Sequence, residues 1–429
     1  MRRVLRRAGS LAAGLLLVGF AWAGQGERAP ELFYWFVDHP DSPFVLHIGH
    51  AMRLLVGDFN EDGNPDLIIP AYRGPFFWER GPDYGPAETN IVMLLGNGQG
   101  GFGPPRPLLT TKGSFVAELV ADIDGDGHED LVVVRRHVTE VLKAEVQVMR
   151  GNGRGELAPP RTVFEMNDIP REVAVADVNG DGHLDFVIAH ITAEAVSVFL
   201  ADGKGRFAYH GSIQLATDPA HLPNRLALAD FNKNGHLDLA IGGEVYEDHD
   251  RRTRFVAVYL GDGTGGFPRR SFFMTLEPPE SEVPRINLIA LDYDRDGNVD
   301  LITSRKEEIL LLLGRGDGTF KVDEGFWFPI KKGTEIVSIV DFNGDGCWDW
   351  VRTEYEPPYI GVVVRVSSCG VFLGMTFWPS WDAGVQPVVA DLNNDGYPEL
   401  VYATRHDLEG KEMTRLWVLL NNMGSGRQR

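Results

Sequence analysis

The chain contains 429 residues, with 41 Lys and Arg against 61 Asp and Glu, which gives a formal net charge of −20. This acidic balance argues against a nucleic-acid partner, because neutralising phosphates requires a basic surface. Hydrophobic residues make up 43% of the chain, enough for a sizeable core, so the acidity does not indicate a disordered protein. Two cysteines exclude a dense disulfide framework and a structural zinc site.

Residues 1–23 have the pattern of a secretory signal peptide. Four arginines within the first seven residues precede an apolar stretch from Leu11 to Phe20, and Ala21-Trp22-Ala23 forms a small-residue cleavage site. The apolar stretch is short for a membrane-spanning helix, and no later segment is long and apolar enough to be one. We therefore expect cleavage after Ala23, no membrane span in the mature chain 24–429, and a secreted, periplasmic or cell-surface location.

One nine-residue acidic pattern, typified by DIDGDGHED, occurs seven times along the rest of the chain. Its copies begin at Asp58, Asp122, Asp177, Asp230, Asp292, Asp341 and Asp391. Successive copies begin 64, 55, 53, 62, 49 and 50 residues apart. A repeat of roughly 50 residues indicates a propeller or a solenoid rather than a series of separate domains.

Each copy contains the residue types that a hard cation prefers. Ca²⁺ takes oxygen ligands from carboxylates, amides and main-chain carbonyls. Asp or Asn at positions 1, 3 and 5 supplies side-chain oxygens, Gly at position 6 permits a sharp turn, position 7 offers its carbonyl, and the acid at position 9 closes the cage. The predicted ligands are Asp58, Asn60, Asp62, Asn64, Asp66, Asp122, Asp124, Asp126, His128, Asp130, Asp177, Asn179, Asp181, His183, Asp185, Asp230, Asn232, Asn234, His236, Asp238, Asp292, Asp294, Asp296, Asn298, Asp300, Asp341, Asn343, Asp345, Cys347, Asp349, Asp391, Asn393, Asp395, Tyr397 and Glu399.

The alternative is a set of solvated Asp-Gly turns without metal, and seven copies with the same oxygen positions argue against it. We expect up to seven structural Ca²⁺ ions. The loops are similar to EF-hand loops through position 6, but no copy has the Glu that an EF-hand needs at position 12. The fourth and seventh loops are expected to be the weakest sites, because Asn234 replaces the position-5 carboxylate and Glu399 replaces the ninth Asp.

Short strands flank the loops. A β-branched run follows each copy, as in DLVVVRR from Asp130, and another short strand precedes each first Asp. A third strand leads into a tight turn, as in VAVYLGDGTGGF from Val256, where Asp-Gly accepts positive φ angles before a fourth strand begins. Four strands in each of seven repeats predict an all-β, seven-bladed propeller of antiparallel blades within residues 24–429.

The acidic loop, the two-sided strand and the GDGTGGF-type turn together resemble the FG-GAP or VCBS repeat, which also builds the propeller of integrin α subunits. The resemblance covers about residues 30 to 422. It implies a seven-bladed propeller that binds Ca²⁺ between the first and second strands of each blade. It implies less about activity, because the repeat also occurs in adhesion proteins, lectins and some polysaccharide lyases.

The two ends of the chain predict how the ring closes. The last repeat supplies three strands, ending with RLWVLLNN from Arg415, whereas the segment from Glu31 to Ile48 reads as strand and precedes the first repeat. We expect this N-terminal segment to complete the last blade.

The two cysteines lie in the sixth repeat. Cys347 is in its acidic loop and Cys369 is at the turn after its third strand, and these two connections fall on the same face of a four-stranded meander. A Cys347–Cys369 disulfide is therefore expected in an oxidising compartment, with two buried thiols as the alternative.

The face opposite the acidic loops carries the longest inserts, and rigid scaffolds present ligand-binding loops in this way. Four arginines near the starts of innermost strands are candidate ligand-binding residues in the central funnel: Arg53, Arg171, Arg225 and Arg285. They would attract an anionic ligand, or else pair with carboxylates of the blades.

Three function classes remain open. The favoured one is a secreted, calcium-stabilised, non-enzymatic binding or adhesion module for a glycan or protein ligand. The second is an extracellular lyase-like enzyme in the funnel, which needs His47, His50 or His190 close to Arg171 or Arg225. The third is a structural scaffold. The sequence does not predict the oligomeric state.

Overall fold

A computed structural model describes most of the chain between residues 36 and 421. The described residues are 36–73, 88–112, 115–136, 143–168, 170–190, 193–215, 220–248, 251–276, 288–305, 308–326, 328–330, 334–356, 359–368, 371–380, 385–408 and 411–421. The predicted signal peptide and Arg285 lie outside these residues.

The described residues form seven antiparallel sheets, here called blades 1 to 7, which are arranged as a propeller. The N-terminal strands are β1 (Phe36–Asp38) and β2 (Phe44–Leu46). Blade 1 contains β3 (His50–Ala51), β4 (Leu55–Gly57), β5 (Asp66–Arg73), β6 (Glu88–Leu94) and β7 (Arg106–Lys112). Blade 2 contains β8 (Phe115–Ala121), β9 (Asp130–Arg136), β10 (Ala144–Met149) and β11 (Arg161–Met166). Blade 3 contains β12 (Pro170–Ala176), β13 (Asp185–His190), β14 (Ala195–Ala201) and β15 (Phe207–Gln214).

The remaining four blades follow the same plan. Blade 4 contains β16 (Ala220–Ala229), β17 (Asp238–Asp248), β18 (Arg251–Leu260) and β19 (Arg269–Leu276). Blade 5 contains β20 (Leu288–Leu291), β21 (Asp300–Arg305), β22 (Glu308–Gly314), β23 (Phe320–Val322) and β24 (Phe328–Pro329). Blade 6 contains β25 (Glu335–Val340), β26 (Asp349–Glu356), β27 (Tyr359–Ser368) and β28 (Val371–Ser380). Blade 7 contains β29 (Val388–Ala390), β30 (Glu399–Leu408) and β31 (Lys411–Asn421), together with β1 and β2.

The hydrophobic core lies between the blades, because the middle strands bury both faces. In β5, Ile68 packs with Leu131 of blade 2, while Ile69 on the other face packs with Val401 of blade 7. Seven apolar clusters occupy the seven interfaces between neighbouring blades in the same way. This explains why these strands read as continuous apolar runs rather than as alternating ones.

The N-terminal segment closes the ring, as the sequence predicts. β1 and β2 both pair antiparallel with β31, the last strand of the chain. Thr414 in β31 is fully buried, and its Oγ1 accepts a hydrogen bond from Ala51 N (2.9 Å) and donates one to Gly49 O (2.7 Å). Blade 7 is therefore built from both ends of the described chain.

Three of the predicted inserts are extensions of β-hairpins. They are the connections from β17 to β18, from β26 to β27 and from β30 to β31, and strands β17 and β31 each reach 11 residues. The insert that follows Arg73 lies largely outside the described residues. No helix among the described residues has the length and apolar character needed to cross a bilayer.

Candidate metal centres

The seven acidic loops occupy equivalent places in the seven blades. Each connects the innermost strand to the second strand, so that its ninth residue is the first residue of β5, β9, β13, β17, β21, β26 or β30. The turn between the third and fourth strands lies at the same end of the blade. All loops are therefore on one face of the ring.

The ninth residue of every loop is a buried carboxylate that accepts hydrogen bonds from two backbone N–H groups. All seven are fully buried, and each accepts one backbone N–H from position 2 of its own loop and one from the end of the third strand or the turn that follows it. The position-2 donors are Phe59, Ile123, Val178, Phe231, Tyr293, Phe342 and Leu392. The second donors are Gly96, Gly151, Ala201, Gly261, Gly314, Ser367 and Asn421. The ninth carboxylate therefore joins the loop to the turn, a role that the spacing alone did not reveal.

Burial makes these carboxylates costly to ionise. It raises the pKa of Asp66, Asp130 and Asp349 to about 6, although the two backbone N–H bonds oppose the shift and the neighbouring loop carboxylates add to it. Burial likewise raises the pKa of Glu399 to about 7. A cluster of acids with raised pKa values is an environment that a bound cation would stabilise.

Two loops bring three carboxylates together. In the second loop, Asp122, Asp124 and Asp130 each place an oxygen within 4.8 Å of the others. In the fifth loop the corresponding residues are Asp292, Asp294 and Asp300. Asp124 Oδ1 and Asp292 Oδ1 are buried and lack a hydrogen-bond partner among the described residues. A group of three carboxylates in which one buried oxygen has no donor fits a hard cation such as Ca²⁺.

The other five loops differ from these two at position 3, where Asn replaces Asp. In four of them the Asn side chain donates Nδ2 to the position-5 carboxylate at 2.9–3.2 Å, and these residues are Asn60, Asn179, Asn343 and Asn393. Asn232 in the fourth loop donates instead to Asp238 Oδ1 (3.3 Å). The Asp or Asn at this position is visible in the sequence, but the residue type alone does not predict these different hydrogen bonds.

The two loops expected to be weakest keep the common backbone contacts. Asn234 Oδ1 accepts His236 N (2.8 Å), as the position-5 Asp does in other loops. Glu399 accepts Leu392 N (2.7 Å) and Asn421 N (3.3 Å), so its extra methylene preserves the two bonds of the ninth position. The relative cation affinities of these loops stay a prediction.

Neighbouring loops contact one another through positions 4 and 7. Glu61 at position 4 of the first loop pairs with His128 at position 7 of the second, and this hydrogen bond raises the pKa of His128. Across the closure of the ring, Asn394 Nδ2 donates to Asn64 Oδ1 (2.7 Å). Glu61 and Asn394 have φ angles of 55° and 57°, in the left-handed region, which directs these side chains towards the next blade. These two contacts link the first loop to the second and the seventh loop to the first.

Two of the four candidate arginines pair with carboxylates of adjacent blades. Arg53 donates to Glu118 O (3.1 Å), with its Nε 4.0 Å from the Glu118 carboxylate. Arg225 Nη1 lies 3.8 Å from Glu172 Oε2. Arg171 is exposed. Arg53 and Arg225 thus pair with carboxylates of the blades, which was the alternative to ligand binding. Arg53 connects blade 1 to blade 2, and Arg225 connects blade 4 to blade 3.

His190, one of the histidines considered for catalysis, is buried beside a serine and an aspartate. His190 is buried, with Nε2 2.8 Å from Ser197 Oγ and Nδ1 3.8 Å from Asp168 Oδ2. Burial lowers the pKa of His190. Ser197 is also buried and its backbone lies in the ladder between β13 and β15, so a substrate has no direct approach to its hydroxyl. This Ser-His-Asp group is a buried polar contact.

Cys347 is disulfide-bonded. The chain contains one other cysteine, Cys369, which lies outside the described residues.

Comparisons with known proteins agree with this architecture. Residues 122–188, 177–241 and 292–351 match the FG-GAP-like repeat family. Human cartilage acidic protein 1 is 22% identical over 433 residues, covering 80% of this chain and 62% of that protein. Human integrin alpha-IIb is 27% identical over 189 residues, covering 41% of this chain and 18% of the integrin chain. The chain thus spans about three fifths of the first relative and about a fifth of the second.

A solved structure supports the fold. The crystal structure of BBS1N in complex with ARL6DN aligns with a TM-score of 0.51 and 11% identity, covering 90% of this chain and 97% of that chain. The fold and the loops define a seven-bladed β-propeller. Residues 122–241 and 292–351 carry FG-GAP-like repeats, as the sequence motifs predict.

Proposed function

We propose that this protein is an exported, calcium-binding propeller that acts as a binding module for a glycan or protein ligand. The observation that carries the calcium assignment is the pair of carboxylate clusters, Asp122 with Asp124 and Asp130, and Asp292 with Asp294 and Asp300. Bound Ca²⁺ would supply positive charge to buried acids whose repulsion otherwise opposes the loop. The other five loops have the same positions, with an amide oxygen in place of one carboxylate, or of two in the fourth loop.

The ligand-binding part of the proposal rests on the face opposite the loops. The long hairpins β17–β18, β26–β27 and β30–β31 extend from the second and third strands of their blades on that face. A rigid ring that carries variable projections is a common way to present a binding surface. The relatives, cartilage acidic protein 1 and integrin alpha-IIb, support a non-enzymatic role.

The funnel supports the lyase-like alternative less well. Such an enzyme needs a base beside a charge-neutralising group. Arg53 and Arg225 already face Glu118 and Glu172, and His190 contacts Ser197. We therefore keep the binding module as the proposed function.

Calcium binding is tested by titrating chelator-treated, full-length mature protein while its melting temperature is recorded. We expect the melting temperature to rise with Ca²⁺, because binding only the folded state stabilises it by mass action. Asp122→Ala should remove one binding site, whereas Glu156→Gln in an exposed turn should remove none. An unchanged melt in excess Ca²⁺ and in excess chelator would reject the calcium assignment.

The ligand is tested with a glycan array and a panel of extracellular-matrix proteins, each probed with and without chelator. We expect binding that is lost when the β30–β31 hairpin tip, around residues 407–412, is replaced by a short Gly-Ser turn. Equal binding by this variant would argue against the hairpin face.

Expression of the whole chain with intact-mass analysis tests export, and the expected product begins at Gly24.

A further inference from the structure

Arg150 stands at a position that is aliphatic in every other blade. It directly precedes Gly151, whose N–H donates a hydrogen bond to Asp130, the ninth residue of the second loop. The residues at this position in the other six blades are Leu95, Leu200, Leu260, Leu313, Val366 and Leu420. Leu95, Leu200 and Leu260 each lie beside a turn glycine of the next blade. A charge has replaced an apolar contact in blade 2 alone.

The guanidinium of Arg150 reaches the metal loop of its own blade. Arg150 Nη1 lies 2.7 Å from Asp124 Oδ2, and the Asp124 side chain is only 7% exposed. The blade 3 turn leaves room for this pair through Gly205, where an ideal Cβ would lie 2.2 Å from Arg150 Nη2. Gly205 also has a φ of 70°, so a side chain there would be strained. Asp124 is therefore buried between two blades, while the Arg150 side chain stays 41% exposed.

The two oxygens of Asp124 have different surroundings. Oδ2 faces Arg150, while Oδ1 is buried and has no hydrogen-bond partner among the described residues. Asp124 also belongs to the cluster with Asp122 and Asp130. Arg150 thus holds one oxygen of a cluster carboxylate, and the other oxygen of that carboxylate has no protein donor. The fifth loop has the same four aspartates, at positions 1, 3, 5 and 9, but Leu313 in place of Arg150.

We propose that Arg150 is a positioning residue for the second loop, holding Asp124 in the carboxylate cluster and lowering the calcium affinity of that loop below that of the fifth. This inference rests on the proposed calcium binding. Two effects of Arg150 oppose each other: orienting a ligand favours binding, whereas a positive charge on the same carboxylate repels the cation. A partly exposed ion pair is worth up to about fivefold in an equilibrium constant. A guanidinium one carboxylate away repels a divalent cation, and this repulsion lowers the binding constant about tenfold even at the dielectric of water. The effect of the charge on Ca²⁺ affinity is therefore larger than the effect of orienting Asp124.

The affinity part is tested by calorimetric Ca²⁺ titration of the mature protein and three variants. Arg150→Met should tighten one site about tenfold, which is about 1.4 kcal/mol, while Arg150→Lys keeps the charge and should stay near the wild-type affinity. Arg154→Met is the matched control, because it removes the same charge from an exposed position of the same turn. The tightening should disappear in the double variant Arg150→Met/Asp124→Ala, which assigns it to the second loop.

The positioning part has a readout that needs no calcium. In excess chelator, Arg150→Met should melt at a lower temperature than Arg154→Met, because Asp124 then loses its partner while remaining in the acidic cluster. Unchanged or weaker Ca²⁺ binding by Arg150→Met, or equal tightening by Arg154→Met, would overturn the affinity part while leaving the calcium assignment intact. Absence of Ca²⁺ binding in the wild-type protein would overturn both proposals, and equal melting of the two variants in chelator would overturn the positioning role.

Discussion

At the scale of single residues, the ninth acid of each loop has a structural role as well as a predicted ligand role. Asp185, for example, accepts Val178 N (3.1 Å) and Ala201 N (2.8 Å) and is fully buried. A carboxylate accepts two N–H bonds at once, whereas the neutral amide of Asn offers only one accepting oxygen. The residue therefore holds the loop against the turn whether or not the other oxygens bind a cation.

This role predicts a difference between two aspartates of the third loop. In excess chelator, Asp185→Asn should lower the free energy of unfolding by about 2 kcal/mol, because a buried N–H is left facing an NH₂ group. Asp181→Asn, at the exposed position 5, should cost less than about 1 kcal/mol. Urea unfolding of the two variants measures this difference, and equal costs would contradict the structural role of the ninth residue.

Glu172 predicts a pH-dependent change in stability. Burial raises its pKa to about 7, against the opposing effects of Arg225, Leu226 N and Arg53. A carboxyl with a raised folded-state pKa favours folding when protonated, and this contribution is lost as the pH rises through about 7. Glu172→Gln should therefore be more stable than wild type at pH 8, by about 1 kcal/mol because the side chain is 29% exposed and partly screened.

The Glu172 prediction is measured as the difference between variant and wild-type unfolding free energies from pH 5 to pH 8 in constant Ca²⁺. The difference should shrink towards pH 5, where the folded-state carboxyl is already protonated. Glu165→Gln, on the exposed outer strand β11, is the control and should show no such trend. A pH-independent difference for Glu172→Gln would show that the carboxyl ionises normally in the folded protein.

At the scale of elements, blade 6 departs furthest from the common repeat. Its turn between β27 and β28 lacks the Asn-Gly or Asp-Gly pair of blades 1 and 4, and Cys347 in its loop is disulfide-bonded. The strands of this blade are nevertheless long, with 10 residues in each of β27 and β28. Blade 6 therefore differs from blades 1 and 4 in its turn sequence and in the disulfide bond of its loop.

The cysteines give a prediction for this element. Peptide mapping without reduction should recover a Cys347–Cys369 link, and Cys369→Ser should lower the free energy of unfolding by about 3 kcal/mol, because a closed loop of about 20 residues no longer restricts the unfolded chain. Ser368→Ala is a nearby control that keeps both cysteines. Two free thiols in protein purified without reductant would contradict the bridge.

At the scale of the whole molecule, stability depends on closing the ring. The cluster between blades 7 and 1 contains Leu46 and Ile48 of the N-terminal segment beside Leu416 and Val418 of β31. In a propeller each blade packs only against its two neighbours, so an incomplete blade 7 exposes two interfaces at once. The N-terminal segment is thus the part of the chain with the longest-range effect.

Deletion of residues 24–48 should lower the melting temperature by about 5 °C or more, because it removes strands β1 and β2 and the buried side chains of Leu46 and Ile48. Deletion of residues 24–35 alone keeps both strands and should change the melting temperature little. Differential scanning fluorimetry in Ca²⁺ compares the two. If the longer deletion melted like the shorter one, the pairing of β1 and β2 with β31 would not contribute to stability.

The sequence by itself determined the repeat count, the all-β class, the place of the acidic loops and the closure by the N-terminal segment. These features follow from local signals, since Asp, Asn and Gly at fixed spacing specify a turn and β-branched runs specify buried strands. The Asp or Asn at position 3, which separates the second and fifth loops from the rest, was visible in the sequence but acquired meaning only from the distances between oxygens.

Only the tertiary structure decided which distant side chains meet. Glu61 and His128 are 67 residues apart, and Asn64 and Asn394 are 330 apart, yet both pairs join neighbouring loops. The same holds for Arg53 with Glu118, and for Arg150, which the repeat pattern shows as an odd residue without naming Asp124 as its partner. Such contacts depend on the angle between packed blades and on side-chain rotamers, and a linear pattern of residue types contains neither.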